Sequence, residues 1–192
     1  MAVPRSGRPA TYEDLLAVPE HLVAEIIDDE LYTSPRPAPR HASATAGLSG
    51  ALHGPFDRGR RGPVGWRILM EPELHFGRDV LVPDLAGWRR DRLPELPQEA
   101  YFTLAPDWVC EVLSPSTASL DRLKKLRVYA REQVRCVWLV DPIATTVEVF
   151  GLEAGQWVLT FTAGGAETIP LPPFDVLPLD LTLLWEVPEP EK

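Results

Sequence analysis

Three features of the sequence predict an α/β fold with a mixed central sheet flanked by helices. Residues 80–88, 108–113 and 136–140 form near-continuous apolar runs, the pattern of strands covered on both faces. A basic amphipathic helix separates the last two runs, so a β-α-β crossover should make those two strands parallel. Alternating segments around short polar turns, near both ends of the chain, predict antiparallel hairpins.

Taken in order, residues 1–10 are polar and contain proline, the pattern of a loose terminus. Thr11 is an N-cap candidate for a short helix ending near Val18-Pro19. Residues 21–33 alternate around Asp28-Asp29 and predict a hairpin that carries Glu25. A proline-rich connection over 34–40 leads into a helix over 41–56, with His41 at its start. Gly47, Gly50 and Gly54 weaken that helix by roughly 1 kcal/mol each. Close packing against another element is the expected reason for them. His53 and His75 have no partner visible in sequence and are expected to be structural. Residues 65–69 and 73–76 predict strands on either side of Glu71-Pro72.

Within the run 80–88, alternation puts Asp84 on one face with Val82 and Ala86. Within 108–113 it puts Glu111 with Val109 and Leu113. Residues 89–103 are polar and proline-bearing. They are expected to form an exposed loop at the Asp84 strand end, within reach of a substrate backbone. The helix after Ser114-Pro115-Ser116-Thr117 carries Lys124 and Lys125 and reaches Tyr129. At 100° per residue its buried face comprises Leu120, Leu123, Leu126, Tyr129 and Ala130. Lys124 and Lys125 fall on opposite borders of that face, so periodicity leaves the choice between them open. Lys125 also stands four residues after Asp121, the spacing of a surface ion pair. Beyond Pro142, residues 145–150 and 156–162 flank Glu153-Ala154-Gly155 as a hairpin. Residues 177–185 form an apolar tail that should pack on the body.

The length of 192 residues suggests one domain, and 45% hydrophobic residues suffice for a core. The 21 prolines are scattered, which argues for short, stiff connections rather than low complexity. Cys110 and Cys136 lie in predicted core strands without zinc-site spacing, so reduced core thiols are expected. No apolar stretch is long enough to span a membrane and no signal-peptide pattern is visible, so a cytoplasmic location is expected. The net charge of −9 opposes binding to a polyanion, although the field that matters is local. Basic clusters occur at Arg58, Arg60 and Arg61, at Arg89, Arg90 and Arg92, and on the helix at Lys124, Lys125, Arg127 and Arg131. The alternative for each is a solvated face.

Two acids inside apolar strands need a partner, because an isolated buried carboxylate costs several kcal/mol. If the strands are neighbours, Asp84 and Glu111 converge, and one should then have a raised pKa. A hard cation such as Mg²⁺ or Mn²⁺ suits such oxygen ligands. With a nearby lysine to steady a phosphate or a water, these are the parts of a metal-dependent phosphodiesterase.

At these residues the sequence resembles a known family. Pro83-Asp84, Glu111-Val112-Leu113-Ser114-Pro115-Ser116, Lys125 four before Tyr129, and Trp138-Leu139-Val140-Asp141-Pro142 resemble the Uma2-type restriction endonucleases of the PD-(D/E)XK nuclease superfamily. The resemblance extends upstream through Tyr12-Glu13-Asp14-Leu15, Glu25-Ile26-Ile27-Asp28 and Ser34-Pro35 to His41. It departs from the superfamily pattern at Leu113, where the strand lysine would stand, and implies that a lysine on the following helix, Lys125, takes that role. It also departs at Asp29, where the family tends to have glycine.

The resemblance implies a restriction-endonuclease-like domain over the whole chain that hydrolyses DNA with Mg²⁺ or Mn²⁺. Asp84 and Glu111 would be the metal ligands, and Lys125 would complete the catalytic set. Glu25, His41 and Lys124 are accessory candidates: Glu25 is otherwise an exposed strand acid and His41 a surface or capping histidine. The family also implies a homodimer. The rival expectation is a nuclease-like fold that no longer cuts and acts as a binding or regulatory module. A third is a purely structural salt bridge from Glu111 to Lys124 or Lys125.

Overall fold

The computed structural model describes residues 8–185; most of the N-terminal segment expected to be loose, residues 1–7, lies outside them. Helix α1 (Tyr12–Leu16) opens on a capping box in which Thr11 accepts from the Asp14 amide and Asp14 accepts from the Thr11 amide. Strands β1 (Leu22–Ile27) and β2 (Glu30–Pro35) pair antiparallel around Asp28-Asp29. Both turn residues have positive φ, 54° and 64°, the conformation that a two-residue hairpin turn demands.

Helix α2 (Pro39–Leu52) begins on a proline, whose missing N–H costs nothing in the first turn. It runs into a widened turn at His53–Asp57. Gly47 is the glycine that close packing requires: a Cβ there would lie 2.0 Å from the Leu183 carbonyl oxygen. Gly50 and Gly54 have open space around them, so close packing does not explain those two.

Among the described residues, ten strands form two sheets. The smaller has the order β2-β1-β5-β4, with β4 (Leu74–Phe76) and β5 (Asp79–Leu81) antiparallel. The larger comprises β3 (Trp66–Met70), β6 (Leu85–Arg89), β7 (Trp108–Val112), β8 (Cys136–Asp141), β9 (Thr146–Glu153) and β10 (Gln156–Gly164), in the order β10-β9-β8-β7-β6-β3. Only β7 and β8 are parallel, joined by the helical crossover, and the sheet is therefore mixed. The β9–β10 hairpin turns at Ala154-Gly155, both with positive φ. A two-stranded ribbon, β11 (Thr168–Ile169) with β12 (Leu179–Asp180), precedes a short 3-10 turn at Leu181–Leu183. Leu181, Leu184 and Trp185 are buried in the core, as the apolar tail anticipates.

The apolar core forms two main layers. Alternation along β7 sends Trp108, Cys110 and Val112 toward α2, and Val109 and Leu113 toward the crossover helix and the smaller sheet. Trp88, Trp108 and Trp138 are fully buried, each contributing roughly 1.5–3 kcal/mol or more by area. Cys110 and Cys136 are free and buried. Among the described residues, no helix is long and apolar enough to cross a membrane.

Three segments differ in their course or exposure from the sequence expectations. The run 80–88 is not one strand: β5 ends at Leu81, β6 starts at Leu85, and the two belong to different sheets. Pro83 has no N–H to give a ladder, and the chain bends at the next residue, Asp84. Asp84 therefore sits at a junction rather than on a strand face with Val82 and Ala86.

The loop 89–103 leaves the far end of β6, away from Asp84, so it is not beside the acids. Its arginines are engaged locally: Arg89 lies 4.2 Å over the Trp66 ring, Arg90 pairs with Asp57 at 2.8 Å and Arg92 with Asp107 at 2.7 Å.

The crossover helix consists of α3 (Ala118–Leu120), a π-helical turn (Asp121–Lys125) and α4 (Leu126–Arg131). The Leu126 amide reaches back five residues to the Asp121 carbonyl. That turn breaks the 100° spacing and rotates the buried face. Asp121, Lys125, Val128 and Tyr129 are buried, whereas Leu123 is 65% exposed.

Candidate active site

The break at Pro83 sets Asp84 immediately before β6, which pairs with β7 through Leu85↔Cys110. Carrying that antiparallel register back one residue puts Asp84 opposite Glu111. The Asp84 carboxylate fixes the junction, because its Oδ2 accepts from the Val112 amide at 2.7 Å. Its Oδ1 faces His41 Nε2 at 3.2 Å, from the first turn of α2. Thr45, one turn along, donates its hydroxyl to the His41 carbonyl at 3.0 Å. Burial works against an imidazolium at His41. The hydrogen bond and charge of Asp84 outweigh it and leave the His41 pKa raised.

Glu111 projects from β7 toward the crossover helix and is 2% exposed. Its Oε1 accepts from the Tyr129 hydroxyl at 2.5 Å, and its Oε2 lies 3.3 Å from Lys125 Nζ. Lys125 is 4% exposed and touches two further carboxylates, Glu25 Oε1 at 2.9 Å and Asp121 Oδ1 at 3.3 Å. Glu25 comes from β1, and the same oxygen accepts from the Val82 amide at 2.8 Å. One ammonium thus ties together β1, β7 and the helix. Glu25 is buried rather than an exposed strand acid, and the Asp121–Lys125 pair is buried rather than on the surface.

The electrostatics follow from burial. Desolvation pushes the Glu25, Glu111 and Asp121 carboxyls up, Glu111 furthest, and Lys125 only partly offsets it. The charge of Asp84 adds to the rise at Glu111 as a smaller cause. For Lys125, burial pulls the ammonium pKa down, but Glu111, Glu25 and Asp121 together hold it well above its ordinary value. The Tyr129 hydroxyl is likewise held well up, by burial and then by Glu111.

Lys124 lies outside this cluster. Its Nζ meets Asp28 at 3.3 Å and Glu30 at 3.4 Å at the hairpin turn. The wheel left Lys124 and Lys125 equivalent; the π-helical turn sends one inward and the other to the surface. Arg127 and Arg131 also spend their charge on local acids, Asp28 and Asp79.

Glu25, His41, Asp84, Glu111, Asp121 and Lys125 all line one open cleft of about 250 Å³. Its walls are the proline-bearing segments 34–38 and 114–117. Asp121 and Tyr129 are the two cluster members that the sequence reading missed. Their signal was present: they stand four residues before and four after Lys125. Among the described residues no group of three or more His, Cys, Asp or Glu side chains is already gathered around one point as a metal cage. The donor set nevertheless fits a hard cation. Five carboxyl groups, Glu25, Glu71, Asp84, Glu111 and Asp121, line the cleft against the Lys125 ammonium, the Arg36 guanidinium and the His41 imidazole, a surplus of acidic oxygen donors.

The fold is thus α/β with a mixed central sheet, and a buried lysine–carboxylate cluster lies at a strand end. The chain matches the Uma2 family model, described as "Putative restriction endonuclease", over residues 9–184, and it belongs to that family. Among solved structures it is similar to a crystal structure from Anabaena variabilis, described as a putative nuclease belonging to DUF820. The TM-score is 0.72 at 24% identity, covering 92% of this chain and 97% of the other, a likeness of fold. No curated protein matches.

Proposed function

We propose that the protein is a metal-dependent endodeoxyribonuclease of the PD-(D/E)XK type that hydrolyses DNA phosphodiester bonds in this cleft. The observation that carries the proposal is the buried Lys125, held against Glu111 in the cleft that Asp84 enters. Asp84 and Glu111 would hold Mg²⁺ or Mn²⁺, with Glu25 and His41 as accessory groups. Bound there, the cation would acidify the attacking water and offset charge on the phosphate.

The chain's own residues supply the rest. The Val112 amide and His41 hold Asp84 in one orientation, so its carboxylate needs no reorganisation. Tyr129 does the same for Glu111. Lys125 presents an ammonium in a water-poor site, where it can orient the attacking water and stabilise the charge that develops on the phosphoryl oxygens. Lys124, on the surface, takes no part in the step. Cutting both strands of a duplex needs two such sites, and we extend the proposal to a homodimer.

One observation favours a second reading, a nuclease-like fold that binds without cutting. Among the described residues, many of the basic side chains of an acidic chain are tied to its own carboxylates, which reduces the free positive surface for DNA. Plasmid cleavage separates the two. The protein should nick supercoiled DNA in Mg²⁺ or Mn²⁺ but not in EDTA, and Asp84→Asn should abolish the nicking. Absence of cleavage at any metal concentration would leave the binding module.

A further inference from the structure

Lys125 has more partners than a catalytic lysine needs. Its three carboxylates differ in their other commitments. Glu25 Oε1 also takes the Val82 amide at 2.8 Å, so it is anchored to the β5–β6 junction. Asp121 sits on the same helical turn as Lys125, four residues back, and moves with it. Glu111 alone stands on the β7 end beside Asp84, in the place where a cation would be held.

We propose that Glu111 is shared: without metal its charge is neutralised by Lys125, and with metal it gives up that contact while Glu25 and Asp121 retain the ammonium. This inference rests on the function proposed above. It makes Asp121 the positioning residue for Lys125, a role separate from ligating metal or touching substrate.

A carboxylate buried to 2% exposure needs a counter-charge or a proton, and the Lys125 ammonium lies in contact with Glu111 Oε2. Glu111 does not swing between the two states, because the Tyr129 hydroxyl pins its Oε1 and leaves Oε2 as the exchangeable atom. The contact to Glu111, at 3.3 Å, is longer than that to Glu25, at 2.9 Å. A small withdrawal of Nζ toward Glu25 and Asp121 therefore frees Oε2 without exposing an unpaired charge. The π-helical turn, which spans Asp121 to Lys125, fixes the distance between the ammonium and its tether. Loading the site and releasing the lysine from Glu111 thereby become one event.

The test is Mg²⁺ titration of protein carrying ¹⁵N-labelled lysine, following the Lys125 ammonium resonance, with calorimetry in parallel. A buried, hydrogen-bonded ammonium exchanges slowly enough to be seen, and its absence from Lys125→Met assigns it. In the parent the resonance should shift and saturate with the calorimetric isotherm, yet stay visible. In Asp121→Asn it should be visible without metal and broaden as Mg²⁺ binds, because Glu25 is then its remaining carboxylate; in Asp121→Glu it should stay as sharp as in the parent. Should Asp121→Asn fail to fold, the parent titration decides alone. Calorimetric binding with an unmoved resonance overturns the sharing and leaves the nuclease proposal standing. No Mg²⁺ binding at all overturns both.

Discussion

Replacing Lys125 by Met should destabilise the protein far more than its place on a charged helix suggests. The substitution keeps volume and removes the one ammonium in contact with Glu25, Glu111 and Asp121, at 2.9, 3.3 and 3.3 Å. Removing one partner of a buried ion pair costs about 3–5 kcal/mol. For a domain of this size each kcal/mol moves Tm by roughly 2–4 °C, so a fall on the order of 6–20 °C is expected. The surface ion pair that helical spacing suggests predicts a few tenths of a kcal/mol.

The loss should depend on pH. Burial already raises all three carboxyl pKa values, and without the ammonium they rise further. A carboxyl whose folded pKa lies above its unfolded value binds more protons when folded, so stability increases as pH falls through the folded pKa. The deficit should therefore be larger near pH 8 than near pH 5. Melting followed by circular dichroism at the two pH values measures it. A Tm within about 2 °C of the parent near pH 8 would refute the buried-counter-ion argument. Lys124→Met, at a partly exposed pair, is the control and should cost less than about 1 kcal/mol.

Tyr129→Phe should lower stability by about 1–3 kcal/mol, read by urea unfolding, because Glu111 keeps its burial and loses a charged-acceptor hydrogen bond. Gly47→Ala should cost about 1–3 kcal/mol or more, since the added methyl meets the Leu183 carbonyl, whereas Gly50→Ala should be neutral or stabilising in the same assay. Asp29→Gly should stabilise by up to about 1 kcal/mol by thermal melting, because φ there is 64° and the Arg78 pair it sacrifices is exposed. Burial pushes the Cys110 thiol well up and the Cys136 thiol to about 12, so neither should react with a thiol reagent before unfolding. Light scattering in the tens of micromolar should show a homodimer; a monomer would remove that part of the proposal.

Much of the architecture was legible because local chemistry and tertiary structure agree. Asp28-Asp29 and Gly155 are residue types that accept positive φ, and both turns are flanked by alternating residues, so both hairpins could be read directly. The crossover required β7 and β8 to be parallel, and they are. The stop inside 80–88 was less visible. Apolar content stays high on both sides of Pro83, and only the lost ladder donor marks where one sheet ends and another begins.

The site was partly legible for the same reasons. Asp84 and Glu111 stood out as acids in apolar surroundings, and the structure sets them at paired strand ends. The choice between Lys124 and Lys125 could not come from periodicity, because a π-helical turn depends on what the helix packs against. Asp121 and Tyr129 were hidden in another way. Each had an adequate bland explanation, a surface pair and a core aromatic, until burial put them around Lys125 and Glu111.

The most direct measurement is the anomalous scattering of a crystal soaked in Mn²⁺. The account predicts a peak between the carboxylates of Asp84 and Glu111, absent from crystals of Asp84→Asn. Manganese bound elsewhere, with the cleft empty at a concentration that supports cleavage, would contradict it.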